Sequence, residues 1–327
     1  MGSETAVATA TQATRDDLVD DVIAGLSAKQ KSISPRYFYD QAGSELFDRI
    51  RDLPEYYLTR TEQRIMEENL PEIAELIGAR ASVIEFGSGS SAKIRALLDH
   101  LQDPAAYVPV DVSGDYLLEM ADELASDYPG LTVRPVAADF TRPFDLPKFD
   151  STPEKNVVFC PGSTIGNLEG DEALKLLGVM RAAAKPGGAL LIGVDLVKDT
   201  EIILAAYNDS QGLTAEFNLN VLGHLNGLLG ANFELEHFRH EAVYDASECR
   251  IEMRLVSTRR QTVTLAGTQI EFDADEFIIT EYSHKYSREA FSTMAVDAGF
   301  SPSRIWTDPD ELFSVHHLTV PGATSSG

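Results

Sequence analysis

Residues 83–93 read Val-Ile-Glu-Phe-Gly-Ser-Gly-Ser-Ser-Ala-Lys, an apolar run followed by a glycine-rich segment. The apolar residues predict a buried strand, and the residues from Ser91 onward predict a helix. Glycine lets the backbone approach a ligand closely, and a helix N-terminus offers N–H groups that have no partner within the helix. We therefore expect a ligand to bind at the turn between this strand and this helix.

Two kinds of cofactor fit this turn. Gly87, Gly89 and Ala92 satisfy the dinucleotide fingerprint G-x-G-x-x-G/A, and Asp111 stands about 20 residues further on, where a ribose-binding acid belongs. Each glycine also fits an ordinary turn, and Asp111 also fits a helix cap. On this segment alone a nicotinamide-dependent dehydrogenase stays open.

Short apolar strands alternate with helices on both sides of the turn. The pattern predicts strands at 81–86, 106–110, 131–137, 157–160 and 189–195, and helices at 91–100, 113–127 and 171–184. Such βαβ alternation implies a parallel sheet with helices on both faces. The predicted fold class is therefore α/β, with a doubly wound sheet.

The alternation stops after Asp195 and resumes at Ser287. Between them, residues 200–229 are predicted to be largely helical, and 242–257, 261–272 and 277–286 are predicted to be antiparallel strands with a turn at Ala266-Gly267. Helices are also predicted at 15–31, 44–78 and 287–298, and strands at 303–307 and 313–320. We expect a flexible tail at 1–14, a doubly wound domain at 15–196 and 287–327, and an inserted substrate-binding α+β domain at 197–286. The N-terminal helices of 15–78 are expected to contribute to the substrate site.

Charge and composition narrow the class of substrate. The 327 residues carry 52 acidic and 27 basic side chains, a formal net charge of −25. Such a polyanion is repelled by nucleic acids and by anionic membranes, although the acidity equally fits a salt-rich habitat. Residues 1–6 lack the basic flank and apolar centre of a signal peptide, so we expect none, and the two cysteines, Cys160 and Cys249, lie far apart in sequence. We expect a cytoplasmic monomer that acts on a small molecule, without a nucleic-acid, membrane or metal partner.

Three later segments favour a different cofactor. Asp111 ends the second strand, Asp139-Phe140 follows the third, and Lys185-Pro186-Gly187-Gly188 precedes the fifth. In this order the motifs resemble the class I S-adenosylmethionine-dependent methyltransferases. The resemblance implies that S-adenosylmethionine is converted to S-adenosylhomocysteine, and that the cofactor contacts Gly87, Ser88, Lys93, Asp111, Asp139 and Phe140.

A second distinctive segment, Phe-Cys-Pro-Gly-Ser-Thr-Ile-Gly-Asn-Leu, occupies residues 159–168. It leaves the fourth strand at the carboxyl end, where open α/β sheets bind ligands. Gly162 permits close approach of a substrate, and the Asn167 side chain offers both a donor and an acceptor. Asn167 also fits a helix cap near residues 169–171.

With further motifs the resemblance becomes specific. These are Arg-Tyr-Phe-Tyr-Asp at 36–40, Leu-Pro-Glu-Tyr-Tyr-Leu-Thr-Arg-Thr-Glu at 53–62, Gly-Ser-Thr-Ile-Gly-Asn at 162–167, Asp-Leu-Val-Lys-Asp at 195–199, Arg-Ile-Glu-Met at 250–253 and Thr-Glu-Tyr-Ser at 280–283. Essentially from end to end, the chain resembles the histidine-specific Nα-methyltransferases that begin ergothioneine biosynthesis. The resemblance implies transfer of three methyl groups to the α-amino nitrogen of L-histidine, which gives hercynine.

The same resemblance assigns the substrate residues. Asn167 and Tyr207 would hold the α-amino and carboxylate groups, with Gly162 lining the site and Tyr39 near the methyl-accepting nitrogen. The imidazole would be bound by Tyr56, Glu281 and Ser283, with Met253 beside the ring. Taken singly, each tyrosine and Met253 fits core packing equally well. Tyr39 and Asn167 are the residues expected to assist catalysis.

Alternatives remain in two further classes. Fungal relatives methylate a prenylated tryptophan, an apolar substrate that would not need Glu281, and a silent cofactor-binding module has no turnover at all. His237-x-x-His240 could span one helix face, but a solvated helix is the favoured interpretation over a metal site. His316-His317 lies in a terminal strand and is expected to have no function.

Overall fold

The computed structural model describes residues 8–9, 15–88, 91–112, 114–149 and 152–322. The predicted tail at 1–14 lies outside the described residues except for Ala8–Thr9, which form a short strand. Gly89 of the dinucleotide fingerprint and Ser113, where a helix was predicted to start, also lie outside. Backbone contacts divide the chain into two compact units, the first formed by 1–12, 60–196 and 286–327, the second by 13–59 and 197–285.

A twisted sheet occupies the first unit. Labelled in chain order, its strands are β1 (Ala8–Thr9), β2 (Ala81–Phe86), β3 (Ala106–Asp111), β4 (Thr132–Val133), β5 (Val136–Ala137), β6 (Lys155–Cys160), β7 (Ala189–Asp195), β13 (Ser301–Thr307) and β14 (Phe313–Thr319). Their order is β1-β5-β3-β2-β6-β7-β14-β13, with β4 beside β3. All pairs up to β6–β7 are parallel, and β14 runs antiparallel to both of its neighbours. The predicted doubly wound α/β fold is confirmed.

Burial explains why the central strands are so apolar. Every residue of β2 and β7 is buried, as expected for parallel strands that are covered on both faces. The helices of this unit are α3 (Tyr57–Ile77, which begins in the second unit), α4 (Ser91–Leu98), α5 (Gly114–Asp127), α6 (Gly170–Ala184) and α9 (Arg288–Asp297). Leu176, Leu177 and Met180 of α6 join strand residues such as Val158 and Ile192 in one apolar core.

The strand order also places the ligand edge. Strand order runs outward from β2 to β3 on one side and from β6 to β7 on the other, so it reverses between β2 and β6. In open α/β sheets, ligands bind at the carboxyl ends of the strands beside such a switch point. The glycine turn after β2 and the loop after β6 both begin at this edge.

The second unit combines helices with antiparallel strands. Its helices are α1 (Arg15–Ser27), α2 (Gln41–Arg51), α7 (Thr200–Tyr207) and α8 (Leu213–Leu229). A sheet of order β12-β9-β8 is formed by β8 (Phe238–Asp245), β9 (Arg250–Ser257) and β12 (Phe277–His284), and β10 (Gln261–Leu265) pairs with β11 (Thr268–Phe272) as a hairpin. The predicted turn at Ala266-Gly267 joins this hairpin, and both residues have positive φ.

Three segments that were each predicted as one element are two elements in the structure. The helix predicted over 44–78 is interrupted at Pro54, which cannot donate a backbone hydrogen bond. Pro135 likewise divides the strand predicted at 131–137 into β4 and β5. The strand predicted at 242–257 is the hairpin β8–β9, because the Asp245 carboxylate accepts hydrogen bonds from the N–H and hydroxyl of Ser247 and so stabilises a turn.

The division into units differs from the predicted domains at the N-terminus. Residues 13–59 group with 197–285 and not with the doubly wound domain. The physical reason is packing on α8, where the rings of Phe38 and Phe217 stack with centroids 4.5 Å apart. In addition, Asn220 donates a 2.8 Å hydrogen bond to Asp40.

None of the helices in the described part of the chain has the length and hydrophobicity that crossing a bilayer needs.

Candidate active site

The glycine turn after β2 has the geometry that a close ligand approach needs. Gly87 adopts φ +75°, a conformation that side chains with a Cβ rarely take. Its N–H donates to the Val110 carbonyl at 3.0 Å, and an added Cβ would lie 3.6 Å from the Phe140 ring. Ser88 is buried beside it. The predicted cofactor residues Gly87, Ser88 and Phe140 therefore meet at one point.

Two carboxylates lie at neighbouring strand ends. Asp111 ends β3, and Asp139 follows β5. The Asp139 carboxylate accepts hydrogen bonds from the N–H and hydroxyl of Thr141, at 3.0 and 2.6 Å, and these hold the turn that carries Phe140. A carboxylate at the end of β3, such as that of Asp111, suits ribose hydroxyls, and an aromatic face, such as that of Phe140, suits an adenine ring. These residues fit an adenosyl cofactor.

Lys93 has a partner that sequence analysis missed. Its ammonium group donates to the carboxylate of Glu62 on α3, and only 1% of the Glu62 side chain is exposed. Both Glu62 oxygens also accept from the Gly162 N–H, at 2.9 and 3.0 Å. Glu62 lay inside a quoted motif, but nothing in its spacing indicated these two partners.

The loop after β6 is held in an uncommon backbone conformation. Gly162 and Ser163 have φ of +83° and +60° in succession. The Ser163 hydroxyl accepts a 2.9 Å hydrogen bond from the Asp195 N–H, and the loop continues into a 3-10 turn at Thr164–Asn167. The N-cap of α6 is Glu169, so Asn167 is not the cap of that helix. Asn167 is partly buried at the end of the 3-10 turn.

A cavity in the second unit gathers four of the predicted substrate residues. Its wall is formed by Phe47, Ile50, Tyr56, Ala206, Tyr207, Thr214, Phe217, Met253 and Glu281. The cavity volume is about 30 Å³, which is room for one or two water molecules.

Glu281 faces Met253 across the β9–β12 pair. The register shifts between Ile279 and Glu281, and the Thr280 hydroxyl at this bulge lies 2.7 Å from the Asn218 side-chain oxygen. Within the described residues, the Glu281 carboxylate has no hydrogen-bond or ion-pair partner. Burial raises its pKa to about 7, and the nearby charge of Lys285 opposes that rise.

Ser283 and Tyr207 share a hydrogen bond with each other and with a lysine. The two hydroxyl oxygens are 2.7 Å apart, and the Lys285 ammonium donates to Ser283 at 2.8 Å and to Tyr207 at 3.1 Å. Only 3% of Lys285 is exposed. Lys285 was not predicted from the sequence, although the two-residue spacing of Glu281, Ser283 and Lys285 was a usable signal because alternate strand residues share a face.

Tyr39 does not belong to the cavity wall. It is 42% exposed, and its ring packs edge-on against Phe47 at 5.8 Å and Phe217 at 6.0 Å. These two phenylalanines do line the cavity. Gly162 and Asn167 belong to the first unit, whereas the residues of the cavity wall belong to the second.

The prediction that His237 and His240 share a helix face is wrong. His237 ends a 3-10 turn, where its ring lies 2.8 Å from the Glu234 carboxylate, and His240 lies in β8. The His240 ring accepts from the Asn218 amide at 2.9 Å and donates to the Tyr207 carbonyl at 2.9 Å. His240 therefore supports the strand-to-helix packing behind Tyr207. Glu234, Glu236 and His237 hold potential metal ligands within 4.8 Å of one another, but both glutamates are exposed.

Fold and site together define an S-adenosylmethionine-dependent methyltransferase of class I fold, and S-adenosylmethionine is its methyl donor. The chain belongs to the family of histidine-specific, S-adenosylmethionine-dependent methyltransferases, which matches residues 18–320. The nicotinamide alternative is thereby excluded.

Individual relatives agree with the family. The histidine N-alpha-methyltransferase of Mycolicibacterium smegmatis is 41% identical over 294 residues, which cover 88% of this chain and 90% of that protein. The enzyme of the same name from Mycobacterium tuberculosis is 39% identical over 293 residues, with 88% and 90% covered. Among solved structures, a possible exported protein from Bordetella parapertussis covers 94% of this chain and 96% of its own, with a TM-score of 0.51 and 11% identity. This last likeness concerns the fold alone.

Proposed function

We propose that the protein transfers three methyl groups from S-adenosylmethionine to the α-amino nitrogen of L-histidine, giving hercynine as the first step of ergothioneine biosynthesis. Family membership and the names of the mycobacterial relatives support the reaction. The single observation that carries the choice of substrate is the Glu281 carboxylate, which stands at the cavity wall beside Met253, Tyr56 and Tyr207.

The chemistry of Glu281 favours imidazole over an apolar ring. A mostly buried carboxylate without a partner is unfavourable, and a ligand N–H that donates to it removes that cost. Imidazole offers such an N–H together with a second polar nitrogen, whereas a prenylated indole offers a single N–H on a largely apolar ring. The buried hydroxyl of Ser283 adds a second polar group that suits imidazole.

The remaining roles follow the family resemblance. Asn167 and Tyr207 hold the amino and carboxylate groups of the substrate, and Tyr39 lies near the nitrogen that is methylated. The first unit binds the cofactor through Gly87, Asp111 and Phe140, and the second binds the imidazole.

The reaction places few demands on acid–base groups. The bound cofactor supplies an electrophilic methyl group, so the chain's own residues have to bind, orient and dehydrate the amine. The nitrogen attacks as the neutral amine, which means that a proton leaves before each transfer. We assign no dedicated base; hydrogen bonding by Asn167 or Tyr39 keeps the lone pair directed.

We further propose that the enzyme is a cytoplasmic monomer that acts on the free amino acid. The net charge of −25 supports a small-molecule substrate, because it disfavours nucleic-acid and anionic-membrane partners. Size-exclusion chromatography with light scattering checks the mass against 35.7 kDa.

Mass spectrometry of histidine incubated with the protein and S-adenosylmethionine tests the function. We expect mono-, di- and trimethylated histidine in succession, with all methyl groups on the α-nitrogen. Tryptophan and 4-dimethylallyltryptophan serve as parallel substrates. Methylation of either in place of histidine overturns the substrate, and calorimetric binding of S-adenosylhomocysteine without any turnover indicates a silent binding module.

A further inference from the structure

Glu62 is a buried carboxylate between two segments with different tasks. One partner is Lys93 on α4, the helix that follows the glycine turn, and the other is the N–H of Gly162 in the loop after β6. Taking a carboxylate out of water costs about as much free energy as a good ion pair regains. The ion pair therefore adds little net stability, which points to a role for Glu62 in the site.

The Gly162 side of this arrangement controls a loop. Gly162 and Ser163 both have left-handed backbone conformations, and the chain then turns directly towards Asn167. The Glu62 carboxylate accepts the N–H at the first of these two residues. A shift of the Glu62 carboxylate therefore shifts Gly162, the first residue of the loop 162–167.

The Lys93 side faces the cofactor segment. The Lys93 ammonium group has three N–H donors, and it donates to one oxygen of the Glu62 carboxylate. It therefore retains donors for a second acceptor. In S-adenosylmethionine the amino acid part carries such an acceptor, its carboxylate. Binding of that carboxylate would draw on the same ammonium group that holds Glu62.

Close packing restricts the movement of Glu62. A Cβ added to Gly193 of β7 would lie 2.2 Å from a Glu62 carboxylate oxygen and 3.0 Å from the Phe313 ring. The carboxylate thus sits against the backbone of β7, which limits its movement on that side when Lys93 moves.

We propose that Glu62 is a positioning residue that couples cofactor binding at Lys93 to the arrangement of the substrate loop at residues 162–167. The inference rests on the proposed function, which places the cofactor at Lys93 and the amino acid at Asn167. Coupling between two sites is reciprocal, so each ligand tightens the binding of the other by the same factor.

The substitution Glu62→Gln cuts one of the two links. The amide oxygen of glutamine still accepts from the Gly162 N–H, but the side chain has lost the charge that pairs with Lys93. Glu72→Gln is the matched control, because Glu72 lies on the same helix and binds Trp306 and Arg304 at 2.8 and 2.9 Å. Circular dichroism and thermal melting establish that both variants fold.

Calorimetry measures histidine affinity with and without saturating S-adenosylhomocysteine. We expect at least roughly fivefold tighter binding with the cofactor product in the wild type and Glu72→Gln, and a ratio near one in Glu62→Gln. A folded Glu62→Gln variant that keeps the wild-type ratio overturns the proposal, as does a wild type without coupling.

Hydrogen exchange gives a second readout that needs neither histidine nor turnover. Addition of S-adenosylhomocysteine to the wild-type protein should slow exchange of the Gly162 amide, and the effect should vanish in Glu62→Gln. No slowing in the wild type contradicts the coupling even if the variant proves unstable. Failure to methylate histidine, by contrast, contradicts the proposed function alone, because this experiment uses the cofactor product only.

Discussion

Lys285 donates to the hydroxyl of Tyr207 at 3.1 Å while both residues are almost wholly buried. An ammonium group can donate hydrogen bonds but cannot accept them, so the Tyr207 oxygen must accept from Lys285 with one of its lone pairs. The same ammonium donates to Ser283, whose oxygen contacts Tyr207. Two hydroxyls that are expected to face the substrate are thus oriented by a residue that lies outside the expected set.

Replacing Lys285 by methionine should therefore weaken histidine binding. Loss of a charge-assisted hydrogen bond costs about 1.5–3 kcal/mol, which corresponds to roughly a 10- to 100-fold rise in the KM for histidine. The affinity for S-adenosylhomocysteine should stay unchanged. Steady-state kinetics and calorimetry measure the two quantities, and Lys31→Met, which removes a lysine paired with Glu276, is the control. An equal loss of both affinities would indicate general damage to the fold.

The Glu281 carboxylate should make histidine binding depend on pH. Its pKa of about 7 in the free protein means that it is protonated below that pH and ionised above it. Because only the ionised form accepts an imidazole N–H with both oxygens, histidine affinity should rise as pH increases through about 7. Glu281→Gln should remove this inflection and leave the affinity for S-adenosylhomocysteine unaffected. Calorimetric titrations between pH 5.5 and 8.5 test this, and an inflection that survives in the variant assigns it to another group.

Much of the first unit was predictable because its signals are local. The bounds of β2 and β7 follow from short, mostly apolar segments, and the turn at Gly87 follows from glycine chemistry. The breaks at Pro54 and Pro135 were visible in the sequence as well, but the apolar pattern on either side of them concealed the interruption. The predicted elements differ from the observed ones more often in where they end than in whether they are strands or helices.

The site residues that were missed depend on contacts between distant segments. Glu62 and Gly162 are separated by 100 residues and Tyr207 and Lys285 by 78. No spacing rule links such pairs, because their proximity is set by how helices pack on the sheets. The family resemblance indicated residues such as Glu281 and Tyr56. It did not indicate the buried charged side chains of Glu62 and Lys285, which form hydrogen bonds with neighbouring site residues.

Alanine at Gly87 should selectively impair cofactor binding. At φ +75° an L-residue is strained by roughly 1–2 kcal/mol, and the added methyl group would contact the Phe140 ring at 3.6 Å. We expect at least about a tenfold loss of S-adenosylhomocysteine affinity with a smaller change in histidine affinity measured alone. Gly130→Ala is a suitable control, since a Cβ there meets no atom within 4 Å. Unchanged cofactor affinity in a folded Gly87→Ala protein would argue against this turn as the binding site.

His316 and His317 should make the fold sensitive to acid. Burial lowers the pKa of each imidazole to about 4, below the ordinary value of 6.5. A group whose pKa is lower in the folded state leaves stability intact above pH 6.5 and removes it as pH falls towards 4, because the unfolded chain binds the proton first. Each histidine contributes a slope of up to about 1.4 kcal/mol per pH unit in that window.

The ring nitrogens of His317 have no hydrogen-bond partner among the described residues. Replacing His317 by phenylalanine should therefore flatten the fall in the free energy of unfolding between pH 6.5 and 4.5. Urea titrations at several pH values measure it, with exposed His100→Phe as the control, and an equally steep fall in His317→Phe would place the acid sensitivity elsewhere.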